Sequence, residues 1–158
     1  MKLLALIKED LAAHRGEWSR PGFQALLVHR LGNVRMLRRL MKIPHVLVRN
    51  FYGIELPFEA KIGRRVVFEH QHGIVVHGNS IIGDDCVIRQ GVTLGMRRMD
   101  RSLDAPILAN SVNVGAGAKI LGKVTIGSYA TIGANAVVLQ DVAPGTLWIG
   151  VPARMVVN

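Results

Sequence analysis

The sequence predicts a mainly β fold, a parallel β-solenoid preceded by a short α-helical segment. The first supporting observation is a six-residue period in the aliphatic side chains, which matches neither the 3.6-residue period of a helix nor the two-residue period of a strand. The second is composition, since 49% of the 158 residues are hydrophobic, only 5% are aromatic and 17 are glycine. Together they indicate a core of small branched side chains and a backbone that turns often.

The repeat is clearest in the second half of the chain, where a small or β-branched residue also follows each leading aliphatic by four positions. The leading residues there are Leu108, Val114, Ile120, Ile126, Ile132 and Val138. Upstream, the step is kept by Ile62, Phe68 and Ile74, and after a two-residue shift by Ile82, Ile88 and Leu94. Six residues per face predict a triangular coil of three short strands, with the leading side chains stacked inside. The spacing does not determine the handedness of the solenoid. The general rule for parallel crossovers favours right-handed winding.

The chain divides into an N-terminal helical segment, residues 1–50, and a solenoid, residues 51–158. Apolar residues recur at helical spacing before and after a predicted break at 19–22. A polar stretch at about 95–107 interrupts the hexads, so it predicts an extruded loop. Loops on a rigid scaffold often carry function.

Positive charge is concentrated in the N-terminal part. The chain carries 20 Lys and Arg against 11 Asp and Glu, and residues 1–65 hold 13 of the basic and 5 of the acidic side chains. In 35–42, basic and apolar residues alternate at roughly helical spacing. This pattern fits either a surface for anionic lipid or a polyanionic partner, or the solvated face of a small helical segment. No nucleic acid partner is expected, because no aromatic-rich strand accompanies the charge.

Several features predict a cytoplasmic protein. The single cysteine, Cys86, excludes a disulfide framework and fits a reducing compartment. The N-terminus becomes charged after five apolar residues, too soon for a secretory leader. The longest uncharged run, 124–140, contains glycines and polar residues and is a poor membrane span. Cys86 occupies a small interior position of its hexad, so we expect a buried structural thiol.

Three histidines, His70, His72 and His77, cluster within one predicted coil. No Cys or Asp follows at the spacing of metal ligands, so no metal is expected. An imidazole oriented by a carboxylate could act as a base toward a hydroxyl, and solvated histidines without a catalytic role are the alternative. A coil of 18 residues would place Glu55 nearly one coil below His70, whereas Glu69 would point to the other side of its strand. Spacing therefore favours Glu55 as the orienting carboxylate.

Several ordered segments resemble the serine acetyltransferase branch of the hexapeptide-repeat acyltransferases. They are Gly53-Ile54-Glu55, Lys61-Ile62-Gly63-Arg64, Glu69-His70, Thr93-Leu94-Gly95, the run 115–122 and Gly150-Val151-Pro152-Ala153-Arg154, with weaker matches at 7–11 and 26–31. The resemblance implies a left-handed parallel β-helix, which overrides the general handedness rule. It also implies a homotrimer with active sites between neighbouring subunits, and acetyl-CoA as the donor.

The resemblance further implies roles for single residues. His70 matches the catalytic base, and Glu55 stands where the family has an Asp that orients it. The positions that match the family's donor site are Gly95, Ala116, Ala134 and Arg154. The implied mechanism is direct transfer, in which His70 takes the acceptor hydroxyl proton as the oxygen attacks the thioester carbonyl.

The acceptor positions depart from the family pattern. Where serine acetyltransferases carry Arg-His-Pro to bind the amino-acid carboxylate, this chain has Asp104-Ala105-Pro106, and the acid before the catalytic His is Glu69, one methylene longer. Asp104 would repel a carboxylate at close range. Three loop arginines could partly compensate: Arg97, Arg98 and Arg101.

We therefore expect an acetyl-CoA-dependent O-acetyltransferase acting on a sugar or glycan intermediate of polysaccharide biosynthesis, near the inner face of the membrane. The first alternative is L-serine O-acetylation, as in cysteine biosynthesis. A non-catalytic solenoid scaffold is a third, which His70 and Glu55 together disfavour.

Overall fold

A computed structural model describes residues 3–157 as three helices followed by a three-walled parallel β-solenoid. The helices are α1 (Leu3–Ala13), α2 (Pro21–Gly32) and α3 (Lys42–Tyr52). The predicted break at 19–22 covers the end of the connection between α1 and α2 and the first two residues of α2. The basic stretch 35–42 is mostly a run of turns that leads into α3, in which the N–H of Arg38 donates to the carbonyl of Val34 and that of Met41 to Leu37.

Strands from successive coils stack in parallel into three walls. The first wall contains β1 (Ile54–Glu55), β4 (Ile74–Val76), β7 (Thr93–Gly95), β10 (Lys119–Leu121) and β13 (Val137–Val138). The second wall contains β2 (Lys61–Ile62), β5 (Ile81–Ile82), β8 (Ile107–Leu108) and β11 (Thr125–Ile126). The third wall contains β3 (Val67–Glu69), β6 (Val87–Arg89), β9 (Asn113–Val114), β12 (Thr131–Ile132) and β14 (Leu147–Ile149), and is closed by the antiparallel β15 (Arg154–Met155).

The interior is a stack of aliphatic side chains. All the leading residues predicted from Leu108 to Val138 are at most 1% exposed, and the small positions between them are buried as well. Because each face is only six residues long, one branched side chain and one small side chain fill its share of the prism. The six-residue period is therefore the packing unit of the core.

A buried ion pair fastens the helices to the first coil. Asp10 of α1 and Arg30 of α2 are 1% and 7% exposed, and Arg30 Nε lies 2.9 Å from Asp10 Oδ2. The Arg30 guanidinium also donates to the carbonyl oxygens of Ile62 and Gly63, and the N–H of Arg65 donates to Asp10 Oδ1. Such a pair needs these extra hydrogen bonds to offset the desolvation of both charges.

His29 makes another buried polar contact between the helices and the solenoid. Its Nε2 lies 3.0 Å from the carbonyl oxygen of Ala60, and the ring is 3% exposed. Burial, followed by the charge of Arg30, lowers the pKa of His29 from 6.5 to about 4. The ring is therefore neutral at neutral pH, and Nε2–H donates to Ala60.

Candidate active site

The corner between the third and first walls is enlarged in the first coil. Phe68 stacks on Ile88, and Val76 stacks on Leu94. The step from Phe68 to Val76 is eight residues, whereas the step from Ile88 to Leu94 in the next coil is six. The two additional residues follow β3 directly, and His70 is the first residue after that strand. The predicted two-residue shift was therefore placed too late in the sequence, because Ile74 and Val76 are both buried and either could lead a hexad.

This bulge, residues 70–73, holds His70 outside the regular stack. His70 and His72 adopt left-handed backbone conformations, with φ of 64° and 74°, which residues with a Cβ rarely adopt. The His70 side chain is exposed. Residues at regular corners, such as Asp85, Ser111 and Asn135, adopt the same conformation, so it serves to turn the chain. What distinguishes this corner is its two additional residues.

Glu55 lies on the first wall, one coil below the bulge. The register pairs it with Val75, which makes this coil 20 residues long and not the 18 expected. The coil is therefore two residues longer than expected, and Glu55 remains the predicted orienting carboxylate. Within residues 3–157 no hydrogen bond joins the two side chains, and both are exposed.

Glu69 lies on the third wall and is held by arginines. Its Oε2 is 3.3 Å from Arg89 Nε, and its Oε1 is 3.9 Å from Arg15 at the end of α1. Arg89 also donates to the side-chain oxygen of Asn113 in the next coil. The carboxylate directly before His70 is therefore charge-compensated by the protein itself.

Two of the four positions predicted for the donor lie along the edge that carries His70, whereas Gly95 ends β7 at the edge next to the loop. Ala116 and Ala134 occupy the third-to-first-wall corner in successive coils, where the N–H of Asn135 donates to the carbonyl of Ala116. Gly95 faces outward on β7 of the first wall, beside Leu121. Since small side chains along a wall leave room for a narrow extended ligand, this edge can admit a chain-like molecule.

The loop between β7 and β8 lies at the opposite edge of the first wall and forms a basic cleft of about 400 Å³. Its polar lining consists of Arg97, Arg98, Arg101, Asp104 and Lys123. Arg98 is paired with Asp100 at 2.9 Å. Arg154, the fourth donor position, lines an adjoining cleft with Arg97. Asp104 and Arg154 are therefore not brought to the His70 edge within one chain.

Two side chains of interest were missed from the sequence. Arg89 contacts Glu69 only because the bulge sets a 20-residue coil, so an 18-residue register could not reveal the pair. Lys123 follows Gly122 at the corner beside the loop. Other corners of the repeat also carry charged residues, such as Arg64 and Asp84, so its charge gave no separate signal.

Cys86 is a structural thiol, as expected. It is buried and its Sγ–H donates to the carbonyl oxygen of Ala109 at 3.1 Å. Burial raises the pKa of Cys86 to about 11, so the reactive thiolate is scarce at neutral pH. Among residues 3–157, no three His, Cys, Asp or Glu side chains are grouped to hold a metal ion. No helix in the same range is long and apolar enough to cross a membrane.

Sequence comparisons identify relatives over nearly the whole chain. Residues 105–140 match the family described as bacterial transferase hexapeptide (six repeats). The serine acetyltransferase of Helicobacter pylori strain J99 is 40% identical over 158 residues, covering 96% of this chain and 92% of the relative. The serine acetyltransferase of Synechococcus elongatus is 42% identical over 139 residues, or 86% of this chain, which spans 57% of that relative's length.

Solved structures agree with the sequence relatives. Soybean serine acetyltransferase complexed with serine has a TM-score of 0.87 at 33% identity, covering 98% of this chain and 69% of the soybean chain. The Brucella abortus serine acetyltransferase in complex with coenzyme A has a TM-score of 0.86 at 27% identity, covering 97% and 67%. The predicted left-handed parallel β-helix is confirmed by this likeness. The chain therefore belongs to the serine acetyltransferase branch of the hexapeptide-repeat acyltransferases.

Proposed function

We propose that the protein transfers the acetyl group of acetyl-CoA to the hydroxyl of L-serine. The observation that carries this proposal is the 40% identity to the Helicobacter pylori serine acetyltransferase across 92% of that enzyme's length. The sugar acceptor expected from the sequence has no support among these relatives, which favour the serine alternative.

His70 is the proposed base. As the serine oxygen attacks the thioester carbonyl, the hydroxyl proton moves to the His70 imidazole, and the carbon–sulfur bond then breaks. The imidazolium returns the proton to the departing thiolate, so that O-acetylserine and coenzyme A are released with all protons accounted for. Glu55 is the proposed carboxylate that orients the ring and stabilises its charged form. Glu55 is exposed on β1, in the coil directly below the one that carries His70.

A homotrimer would complete the site. The His70 edge and the basic cleft lie on opposite sides of the first wall, so one chain presents two half-sites facing different directions. A neighbouring copy related by a three-fold axis would set its loop against the His70 edge. The proposed donor site then lies between copies, with the small side chains Gly95, Ala116 and Ala134 along its length and Arg154 toward the nucleotide.

The cleft supports a carboxylate-bearing acceptor in spite of Asp104. Arg97, Arg101 and Lys123 have no acidic partner within the described residues, so the cleft remains cationic. These groups could replace the family's Arg-His pair in binding the serine carboxylate.

A sugar hydroxyl remains a second candidate because of the state of Glu69. Its carboxylate is already paired with Arg89, and Asp104 stands where the family's carboxylate-binding Arg would be. Both features weaken the recognition of a zwitterionic amino acid, and neither would harm a neutral polyol.

Thiol release from acetyl-CoA, measured across L-serine, L-homoserine, simple sugars and nucleotide sugars, separates these functions. We expect saturable turnover with L-serine and formation of O-acetylserine. Turnover with a sugar and none with serine would establish the second candidate. The absence of acceptor-dependent release across the panel would contradict the serine and sugar proposals.

A further inference from the structure

A basic and apolar surface on the N-terminal helices is not used by the proposed reaction. Between Trp18 and Ile54 the sequence has seven Lys or Arg and no Asp or Glu. α3 has no buried residue, although five of its eleven side chains are Ile, Val, Leu or Phe. A helix that is amphipathic and unburied has an apolar face without a partner in the chain.

The exposed apolar residues form one stripe. Met36, Leu40, Ile43, Leu47 and Phe51 follow one another at three- or four-residue steps, through turns that carry helical i to i−4 hydrogen bonds and then through α3. Met36 is 91% exposed, Ile43 70% and Phe51 72%. The residues on the other side of α3, Pro44, Val48 and Tyr52, are the ones that pack toward α2 and the solenoid.

Exposed basic residues alternate with the first part of this stripe. Arg35 and Arg39 lie beside Met36 and Leu40 in the turns before α3. On α3 itself, Lys42 and Arg49 lie roughly 140° and 160° around the helix from Leu47, so they are on the face opposite the stripe. Trp18 and Leu27 line an apolar groove of about 520 Å³ between α2 and α3. We name the stripe, Arg35, Arg39 and Trp18 the cap surface.

We propose that the cap surface docks on an anionic lipid bilayer, with the apolar stripe inserted at the headgroup level and Arg35 and Arg39 against lipid phosphates. Charge complementarity identifies the occupant. A second copy of the same surface would bring four exposed cations together with no acid between them, whereas an anionic bilayer neutralises them and also accepts aliphatic side chains. Nucleic acid would neutralise the charge, but it offers no apolar phase for Ile43, Leu47 and Phe51.

Docking would also orient the candidate active site. α3 ends directly beneath the bulge, since the N–H of His72 donates to the carbonyl of Tyr52. The His70 edge would therefore stand next to the lipid surface, whichever acceptor is used. The inference does not depend on the serine proposal and is tested without measuring acetylation.

Co-sedimentation of the full chain with phosphatidylcholine vesicles, with and without phosphatidylglycerol, provides the test. We expect binding to the anionic vesicles at low ionic strength and its loss at high salt. The double variant Arg35→Gln/Arg39→Gln should bind roughly 25-fold more weakly, at roughly fivefold for each cation. Lys8→Gln/Lys61→Gln removes the same charge from exposed positions outside the cap surface and should bind nearly as wild type.

The apolar stripe is tested separately. Ile43→Gln/Phe51→Gln should reduce binding by at least about tenfold, whereas Tyr129→Gln/Val157→Gln, at exposed sites on the solenoid, should not. Wild-type protein that stays in the supernatant with anionic vesicles at low salt would overturn the proposal. It would also be overturned if Ile43→Gln/Phe51→Gln lowers the oligomer mass in sedimentation velocity and leaves vesicle binding unchanged, because the surface would then be a contact between copies.

Discussion

The corner between the third and first walls is built in two ways along the same edge. In the upper coils it is a six-residue step through a residue in the left-handed conformation, at Gly91, Gly117 and Asn135. In the first coil it contains two more residues and carries His70. The regular corners therefore supply stability, whereas the enlarged corner of the first coil supplies the candidate reactive side chain.

Replacing His70 should give the largest effect. His70→Ala should lower kcat about 100- to 10,000-fold, the range for loss of a general base. Since the ring is exposed and makes no hydrogen bond within the described chain, the unfolding free energy should hardly change. Thiol-release kinetics and thermal unfolding measure the two quantities.

His77→Ala is the matched control for that variant. His77 lies in the same coil beyond the first wall, and its Nδ1 only accepts a hydrogen bond from the N–H of Asn79. It should keep most of the activity. Equal losses in both variants would mean that the bulge has no special role.

Acid should destabilise the contact that His29 makes between the N-terminal helices and the solenoid. In the unfolded chain His29 takes a proton at a pKa of 6.5, whereas in the folded chain it does so only at about 4. Between these values the unfolded state binds more protons, so stability is full above pH 6.5 and falls by about 3 kcal/mol as the pH drops to 4. Urea unfolding across this range measures the slope.

His29→Gln tests the source of the acid sensitivity, because its amide can still donate to Ala60 without titrating. We expect a flatter dependence of stability on pH in this variant. An unchanged slope would place the sensitive group elsewhere.

Substitution at a regular corner should cost stability. Gly91 has φ of 72°, and an added Cβ would lie 3.2 Å from the Cα of Gly117. Gly91→Ala should therefore lose about 1–2 kcal/mol from the left-handed backbone alone and more from the contact. Gly145→Ala, at φ of 68° with open space around it, should lose less in urea unfolding. Equal losses would show that stacking at the corner contributes nothing.

The smallest effect is expected at Glu69. Arg89→Gln should free this carboxylate for the serine ammonium and lower the serine KM by up to about fivefold, since partly exposed pairs are worth about 1 kcal/mol or less. Arg15→Gln, whose contact is 3.9 Å long and more exposed, should change KM less. A rise in KM for Arg89→Gln would instead make Arg89 part of the acceptor site.

The sequence predicted the regular coils well because their period is a property of neighbouring residues. Leu108, Ile120 and Val138 each lead a face, and each is buried where the six-residue step places it. The location of the bulge could not be predicted in the same way. Ile74 and Val76 are both aliphatic and both buried, and only the pairing with Val92 and Leu94 distinguishes their roles.

Contacts between segments distant in the sequence were also not predicted. Asp10 and Arg30 fall in segments of weak resemblance, and nothing local shows that their side chains meet above Gly63. The pairing of Glu69 with Arg89 likewise follows from the length of one coil. His70 was predicted as the candidate base from residues next to it in the sequence. The residues around it in space could be identified only from the strand register.

The most direct measurement is a crystal structure of the protein with coenzyme A and L-serine bound. If His70 is the base, a nitrogen of its ring should lie within about 3.2 Å of the serine hydroxyl oxygen, directly or through one water. Serine held in the basic cleft with its hydroxyl out of reach of every copy's His70 would contradict this role.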